Sequence, residues 1–180
     1  RAAISPIRGQ GLLIFEADNV IREMIEIVFP VLHGENGEDG SVQGLLQLAG
    51  IPYVGPHVSA SAVSMDKTLT KLVADNAGVA QAAWQLVRSG EVSNHMQKVV
   101  LRLEEKFQYP MFVKPAGTGS SVGVSKASDR ESLMRALSHA AKYDTKILVE
   151  EFIHGREVEV AVMGNDSPVA SICGEIDSGA

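Results

Sequence analysis

From residue 84 onward, the apolar positions of this chain switch repeatedly between the two-residue rhythm of a strand and the 3.6-residue rhythm of a helix. Trp84–Val87 reads as a strand. Val92, Met96, Val99, Val100, Leu103 and Phe107 then recur at i, i+4, i+7 and i+8, which is one face of an amphipathic helix. That helix breaks near Tyr109-Pro110, and Met111-Phe112-Val113 begins a new strand. Val122 to Lys126 alternates like a strand again, so residues 109–126 predict a strand–loop–strand unit. Ser128-Asp129-Arg130-Glu131 has capping-box spacing and opens a further helix, with Leu133, Ala136, Leu137, Ala140 and Ala141 inward. Lys146–Ile153 is a strong strand that turns acidic at Glu150-Glu151. Val158–Met163 and Pro168–Cys173 predict a hairpin across residues 164–167.

Upstream the rhythm is weaker. Leu12–Phe15 predicts a strand, and Val20–Ile27 has a mixed helical pattern. Ile27–Leu32 is an apolar run whose Pro30 makes it an irregular strand or a strand end. A glycine-rich polar loop, residues 33–40, follows it. Ser41 is placed to cap the next helix, Leu45, Leu46 and Leu48 give that helix an apolar side, and Gly50 ends it. Ile51–Gly55 is then a short strand. Strand, helix and strand at this spacing predict a βαβ unit with a parallel sheet, in which ligands sit beyond the carboxyl ends of the strands. Ser59–Ala77 reads as one helix, with Ala62, Met65, Leu69, Leu72 and Val73 on its inner face and Lys67 off that face. The fold class is α/β, becoming α+β in the central part.

Composition narrows the function more than the fold. The chain has 180 residues, 45% of them hydrophobic, a net charge of −6 and a pI near 5.4. An acidic balance argues against a nucleic-acid or anionic-membrane partner, both of which call for a basic face. No apolar run approaches the length of a membrane span. One cysteine, Cys173, permits no internal disulfide, which makes a reduced, cytoplasmic setting the expectation. Residue 1 is Arg, as in a chain that begins partway into a longer protein.

The stretch Tyr109–Val124 holds the most chemistry. Lys114-Pro115 leads into Gly117, Gly119 and Gly123, which enclose Ser120-Ser121. Glycine lets a backbone approach a ligand with its N–H groups inward, and two hydroxyls and an ammonium add donors suited to phosphate oxygens. A strand follows the glycines where a Walker loop would open a helix and place its lysine after the last glycine. An ordinary hairpin with a glycine turn accounts for the same stretch. Taken alone, His33 reads as a structural histidine, Glu38 and Asp39 as a solvated turn, and Lys67, by spacing, as a solvated lysine. Glu150 and Glu151, as neighbours on a strand, face opposite ways.

Four stretches in register change that balance. HGENGEDGSVQG (33–44), SMDK (64–67), FVKPAGTGSSVGVSK (112–126) and VEEFIHGREVEVAVMG (149–164) together resemble the D-alanine–D-alanine ligases of the ATP-grasp superfamily. The resemblance runs from about residue 27 to 164. It implies a partial N-terminal substrate-binding domain (1–62), a central ATP-grasp lobe with a glycine-rich flap (63–154), and the start of a C-terminal lobe (155–180). The implied activity is ATP-dependent joining of two D-alanines through an acyl phosphate for peptidoglycan precursors, in the cytoplasm, by a homodimer. A D-alanine–D-lactate ligase and a non-catalytic nucleotide-binding fragment are the alternatives. By resemblance, Lys67 and Lys114 meet ATP phosphates, and Gly119, Ser120, Ser121 and Val122 form the flap, with Ser120 also at the reacting groups. Glu150, Glu151, Phe152 and Ile153 resemble the adenine-holding segment, and Glu157 the acid on the ribose. His33 and Glu38 resemble residues beside the D-alanine site. The family's glycine-rich loop with a glutamate for the first D-alanine is not visible in residues 1–27. Its ligands for Mg2+ or Mn2+ are expected beyond residue 180, so these 180 residues alone are expected to lack ligase activity.

Overall fold

The structure is a computed structural model and describes residues 1–176. It begins with an antiparallel meander of β1 (Ala2–Ile4), β2 (Leu12–Phe15) and β3 (Val20–Glu23). Leu12–Phe15 is a strand as expected. Val20–Glu23 is a strand too, contrary to the helical reading. A turn at residues 16–19, closed by Glu16 N–H to Asn19 O at 2.9 Å, returns the chain against β2 before a helix can start.

The expected parallel sheet of the βαβ unit shrinks to one parallel bridge, Val28 to Tyr53. Val28 donates to Pro52 O and Val54 donates to Val28 O, each at 2.9 Å. The next rung would need the N–H of residue 30, and Pro30 has none. Between these segments lies α1 (Ser41–Ala49), ended by Gly50 at φ 69°. Ser41 is not its cap: Gly40 holds that position, and Asp39 Oδ1 accepts the Ser41 N–H at 2.9 Å. Leu46, Ala49 and Ile51 make a small core with Ile4, Ile25 and Val28 around it, while Leu48 is exposed.

The single helix expected at 59–77 is two, α2 (Val58–Met65) and α3 (Lys67–Asn76). Asp66 leaves the helical region (ψ 102°), and its Oδ1 accepts from Thr68 N at 3.0 Å and Leu69 N at 3.3 Å, capping α3. The face predicted to point inward does not. Leu72 and Val73 are 54% and 56% exposed, whereas Thr68 is 3% exposed. Two ion pairs, described below, turn the polar side of α3 to the sheet.

The larger core belongs to an antiparallel sheet of β4 (Trp84–Arg88), β5 (Met111–Pro115), β6 (Ser125–Ala127) and β7 (Lys146–Glu151), in the order β4-β7-β5-β6. Two helices, α4 (Ser89–Lys106) and α5 (Arg130–Ala140), cover one face, burying Val99, Val100, Leu103, Leu133 and Leu137 against Val87, Met111, Val113, Ile147 and Val149. The α4 and α5 periodicities therefore hold. The cap of α5 lies one residue later than expected: Asp129 accepts from Ser132 N at 2.7 Å, and Ser132 Oγ accepts from Asp129 N at 3.0 Å. Strands β5 and β6 form a hairpin, with Met111 opposite Ala127 and Val113 opposite Ser125, but β6 begins at Ser125 and not at the expected Val122, whose N–H closes the turn onto Gly119 O. β7 ends at Glu151, two residues before the expected Ile153.

The expected C-terminal hairpin pairs through two short ladders. β9 (Val162–Met163) lies against β10 (Val169–Ala170), and β8 (Val158–Glu159) against β11 (Gly174–Glu175). Of the segment 155–180, the last four residues lie outside the described residues. Among the described residues, no helix is long and apolar enough to cross a membrane.

Tyr109 joins α4 to the sheet, and its hydroxyl donates to Glu104 Oε1 at 2.8 Å, while Arg130 Nε donates to the same oxygen at 3.0 Å. Burial, then the bond to the Glu104 carboxylate, pushes its phenol up to about 12. A folded pKa above the unfolded one of 10.0 means stabilisation that is complete below pH 10 and lost as pH rises through about 12. Spectrophotometric titration is expected to show one tyrosine ionising near 12 that disappears in Tyr109→Phe. A full set of tyrosines ionising near 10 contradicts this packing.

Candidate functional site

The two-residue period of the sheet sorts the side chains of β5 and β7. Met111 and Val113, with Ile147 and Val149, enter the core beneath α4 and α5. Phe112 and Lys114, with Leu148 and Glu150, face the other way. Phe112 pairs directly with Glu150, so Lys114 is its diagonal neighbour, within reach of a long side chain. Lys114 Nζ meets Glu150 Oε2 at 2.5 Å, and Lys71 Nζ on α3 meets the other oxygen, Oε1, at 2.6 Å. The carboxylate is 6% exposed. Burial alone raises its pKa, but the two ammoniums outweigh burial and hold Glu150 below the usual carboxylate range.

Lys67 opens α3. Its ammonium donates to Pro115 O at 3.2 Å and Ala116 O at 3.4 Å, and also to Thr118 O, at the root of the glycine loop. Burial, then the nearby charge of Lys114, lowers its pKa. The helix start is held from below as well, because Lys146 Nζ pairs with Asp66 Oδ2. At the base of the loop, Gly117 N–H donates to Asp144 Oδ2 at 2.7 Å.

Above these lysines the loop between β5 and β6 folds into a tight turn. Val122 N–H donates to Gly119 O at 3.0 Å, and Thr118 Oγ1 donates to Val122 O at 2.9 Å. Ser120 and Ser121 both take left-handed conformations, at φ 48° and 59°. Gly123, at φ 74°, lies under Pro115 and Tyr143, where a Cβ would come within 2.6 Å and 2.8 Å of their side chains. Among the described residues, the N–H groups of Gly119, Ser120 and Ser121 donate to no protein acceptor.

Lys67, Lys114, Gly119, Ser120, Ser121, Phe152, Ile153 and Glu157 line a single cleft of 710 Å³. Phe112, Thr118, His154 and Arg156 line it too, and spacing singles out none of them. Phe152 forms one wall, its ring 5.9 Å from that of Phe112 and with Lys126 Nζ 4.3 Å above it. Three of the residues expected at ATP stand apart. Val122 is exposed beside the turn, Glu150 lies beneath Lys114, and Glu151 Oε1 accepts the Ala83 N–H at 2.7 Å on the opposite side of β7. Lys71 is absent from the expected set, although its i, i+4 relation to Lys67 places both on one helix face.

His33 and Glu38 do not line this cleft. Glu38 borders a 370 Å³ hollow with Phe29, Gln43, Ser61 and Met65, whereas His33 borders a separate 460 Å³ hollow with Asn36 and Ser41. Glu38 Oε2 accepts the Gly34 N–H at 2.5 Å and shapes the loop. That loop still touches the cleft: a Cβ at Gly119 would lie 3.5 Å from Gly34 Cα and 3.9 Å from Glu38 Oε2. Among the described residues, no three His, Cys, Asp or Glu side chains gather as a metal site.

Known proteins resemble this chain over most of its length. The family model described as D-ala D-ala ligase C-terminus matches residues 73–179, and that described as D-ala D-ala ligase N-terminus matches residues 10–56. A D-alanine–D-alanine ligase of Acetivibrio thermocellus is 56% identical over 163 residues, 91% of this chain and 43% of that protein. One from Caldicellulosiruptor bescii is 51% identical over 174 residues, covering 96% and 48%. Among solved structures, the VanG D-Ala:D-Ser ligase of Enterococcus faecalis superposes with a TM-score of 0.83 at 36% identity, over 98% of this chain and 49% of that one. The D-alanine–D-alanine ligase of Coxiella burnetii gives 0.78 at 35%, over 92% and 50%. The chain thus spans about half the length of the relatives it matches. With the C-terminal model alone covering more than half of its residues, this chain belongs to the D-alanine–D-alanine ligase family.

Proposed function

We propose that this chain is the nucleotide-binding part, with some of the substrate-binding part, of an enzyme that joins two D-alanines at the expense of ATP. The observation that carries it is the convergence of Lys67, Lys114, the glycine loop and the 152–157 segment on one cleft. Donor-rich at one end and walled by an aromatic ring at the other, the cleft fits a triphosphate and a base. Lys67 and Lys114 bind phosphate oxygens, and the N–H groups of Gly119, Ser120 and Ser121, with Val122 at the turn, close over them as a flap. Phe152 and Ile153 hold the base, backbone groups of Glu150 and Glu151 meet its edge, and Glu157 accepts from the ribose hydroxyls.

In the proposed reaction, the carboxylate of the first D-alanine attacks the γ-phosphorus, forming an acyl phosphate and releasing ADP. The amine of the second D-alanine then attacks the acyl carbon, and phosphate leaves from a tetrahedral intermediate. Phosphoryl transfer asks the protein mainly for positioning and charge neutralisation, which the lysines and the flap provide. Ser120, at the turn of the flap, contacts the reacting groups. The loop that bears His33 and Glu38 borders the D-alanine side, supported by its contact with Gly119. The chemistry uses a divalent ion, Mg2+ or Mn2+, and no residue described here is assigned to hold it.

D-alanine is taken as the second substrate, ahead of D-lactate, because the relatives named D-alanine–D-alanine ligase share 50–56% identity with this chain. We further assign residues 1–62 to a substrate-binding domain, 63–154 to a central lobe and 155–180 to the start of a C-terminal lobe. The separation of the small core at Leu46 and Ile51 from the large core beneath the sheet supports this division. A cytoplasmic homodimer making peptidoglycan precursors completes the reading.

The complete protein is expected to release ADP from ATP only when D-alanine is supplied; release independent of D-alanine refutes the reading. In that protein, Lys114→Ala removes a charge-assisted contact worth about 1.5–3 kcal/mol and is expected to weaken ATP at least ~tenfold by calorimetry. Ser120→Ala is expected to lower kcat while its thermal melting stays that of the parent. A loss of melting temperature instead makes Ser120 structural.

A further inference from the structure

Lys67 and Lys114 line the cleft beside the glycine loop, Glu150 and Lys71 lie beneath Lys114, and Lys71 has no part in the function proposed above. Lys71 sits one turn after Lys67 on α3, and its side chain is only 15% exposed, so it does not line the cleft. Its Nζ also donates to Ala82 O at 3.4 Å, which ties it to the segment leading into β4. Among the described residues its one ionic partner is Glu150 Oε1, and Glu150 Oε2 is the partner of Lys114.

The charge balance makes this arrangement informative. A buried carboxylate with Lys114 as its sole partner would form a neutral pair with it. The ammonium at the cleft wall would then be spent on Glu150 and would attract phosphate weakly. With Lys71 on the second oxygen, the carboxylate divides its charge between two ammoniums. The cluster of Lys67, Lys71, Lys114 and Glu150 keeps two net positive charges, and Glu150 keeps one oxygen as a fixed anchor for the Lys114 side chain. The low pKa of Glu150 agrees with two cationic partners.

Resting on the nucleotide-cleft reading, we propose that Lys71 is a positioning residue for phosphate binding: by holding one oxygen of Glu150 it leaves Lys114 anchored yet electropositive toward the nucleotide. The same ion pair, with Asp66–Lys146 one turn earlier, sets α3 on the sheet. A purely structural role for Lys71 is therefore the rival to be separated.

The test compares ATP and adenosine binding to the complete protein by calorimetry. Lys71→Met is expected to weaken ATP about tenfold, the scale of one charge-assisted contact, and to leave adenosine affinity unchanged. Lys71→Arg is expected to restore ATP binding. Adding Glu150→Gln to Lys71→Met is expected to recover part of the loss, because Lys114 is no longer neutralised. Equal loss of ATP and adenosine assigns Lys71 a structural role and overturns the proposal, as does unchanged ATP affinity. If Lys71→Met does not fold, Lys71→Gln, which can donate to Glu150 without the charge, carries the same expectations. Lys114→Ala run alongside separates the two readings. If it weakens ATP while Lys71→Met does not, only the role of Lys71 falls; if it leaves ATP unchanged, the cleft reading falls and this inference with it.

Discussion

One carboxylate, Glu150, is the point on which the cleft is assembled. It stands on an inner strand of the sheet, it is nearly buried, and each of its oxygens holds a lysine from a different element, Lys71 on α3 and Lys114 on β5. A charge taken out of water at such a place is costly unless it is paired and hydrogen-bonded, and breaking one side of the pair leaves an uncompensated charge. That cost makes the geometry specific. The helix that bears Lys67 and the strand that bears Lys114 cannot slide apart without exposing Glu150 or leaving it unpaired. The cleft therefore inherits its shape from an electrostatic constraint within the fold, and its walls are added around it.

The same constraint explains why α3 presents the side it does. Its apolar residues Leu69, Leu72 and Val73 are exposed, while Thr68 is buried and Lys71 turns inward. Hydrophobic burial alone favours the opposite face, by roughly 1.5–3 kcal/mol for each large side chain fully removed from water. The helix follows its ions: Asp66 to Lys146 at its start and Lys71 to Glu150 one turn later. The carbonyl groups of residues 115, 116 and 118 around the Lys67 ammonium add to the same orientation. The glycine loop is held from three sides, by Asp144 at its base, by Lys67 beneath it and by Pro115 and Tyr143 against Gly123. At its tip, the N–H groups of Gly119, Ser120 and Ser121 donate to no acceptor among the described residues.

The N-terminal segment obeys a different rule, the supply of backbone donors. Pro30 stops the parallel ladder after one bridge, so the chain between Phe29 and Leu32 leaves the sheet and leads into the loop at 33–40. That loop then reaches Gly119, so a missing N–H in one part of the chain helps set what borders the glycine loop.

Local chemistry by itself determined much of this protein. The i, i+4 repeats of α4 and α5, the hairpin around the glycines, and the acidic end of β7 are all readable because each depends on neighbours close in sequence. The SMDK, FVKPAGTGSSVGVSK and VEEFIHGREVEVAVMG stretches, singled out by resemblance, also hold the residues that line the cleft, whereas HGENGEDG only borders it. What only the tertiary structure decided is how charges distant in sequence meet. Lys71 and Glu150 lie 79 positions apart and Asp66 and Lys146 lie 80 apart, and no periodicity records such a pairing. For that reason the facing of α3, the break at Asp66, the separation of His33 from Glu38, and the place of Lys71 beneath the cleft were not legible in the chain. Periodicity reports which residues avoid water, whereas these features follow from which buried charges found a partner.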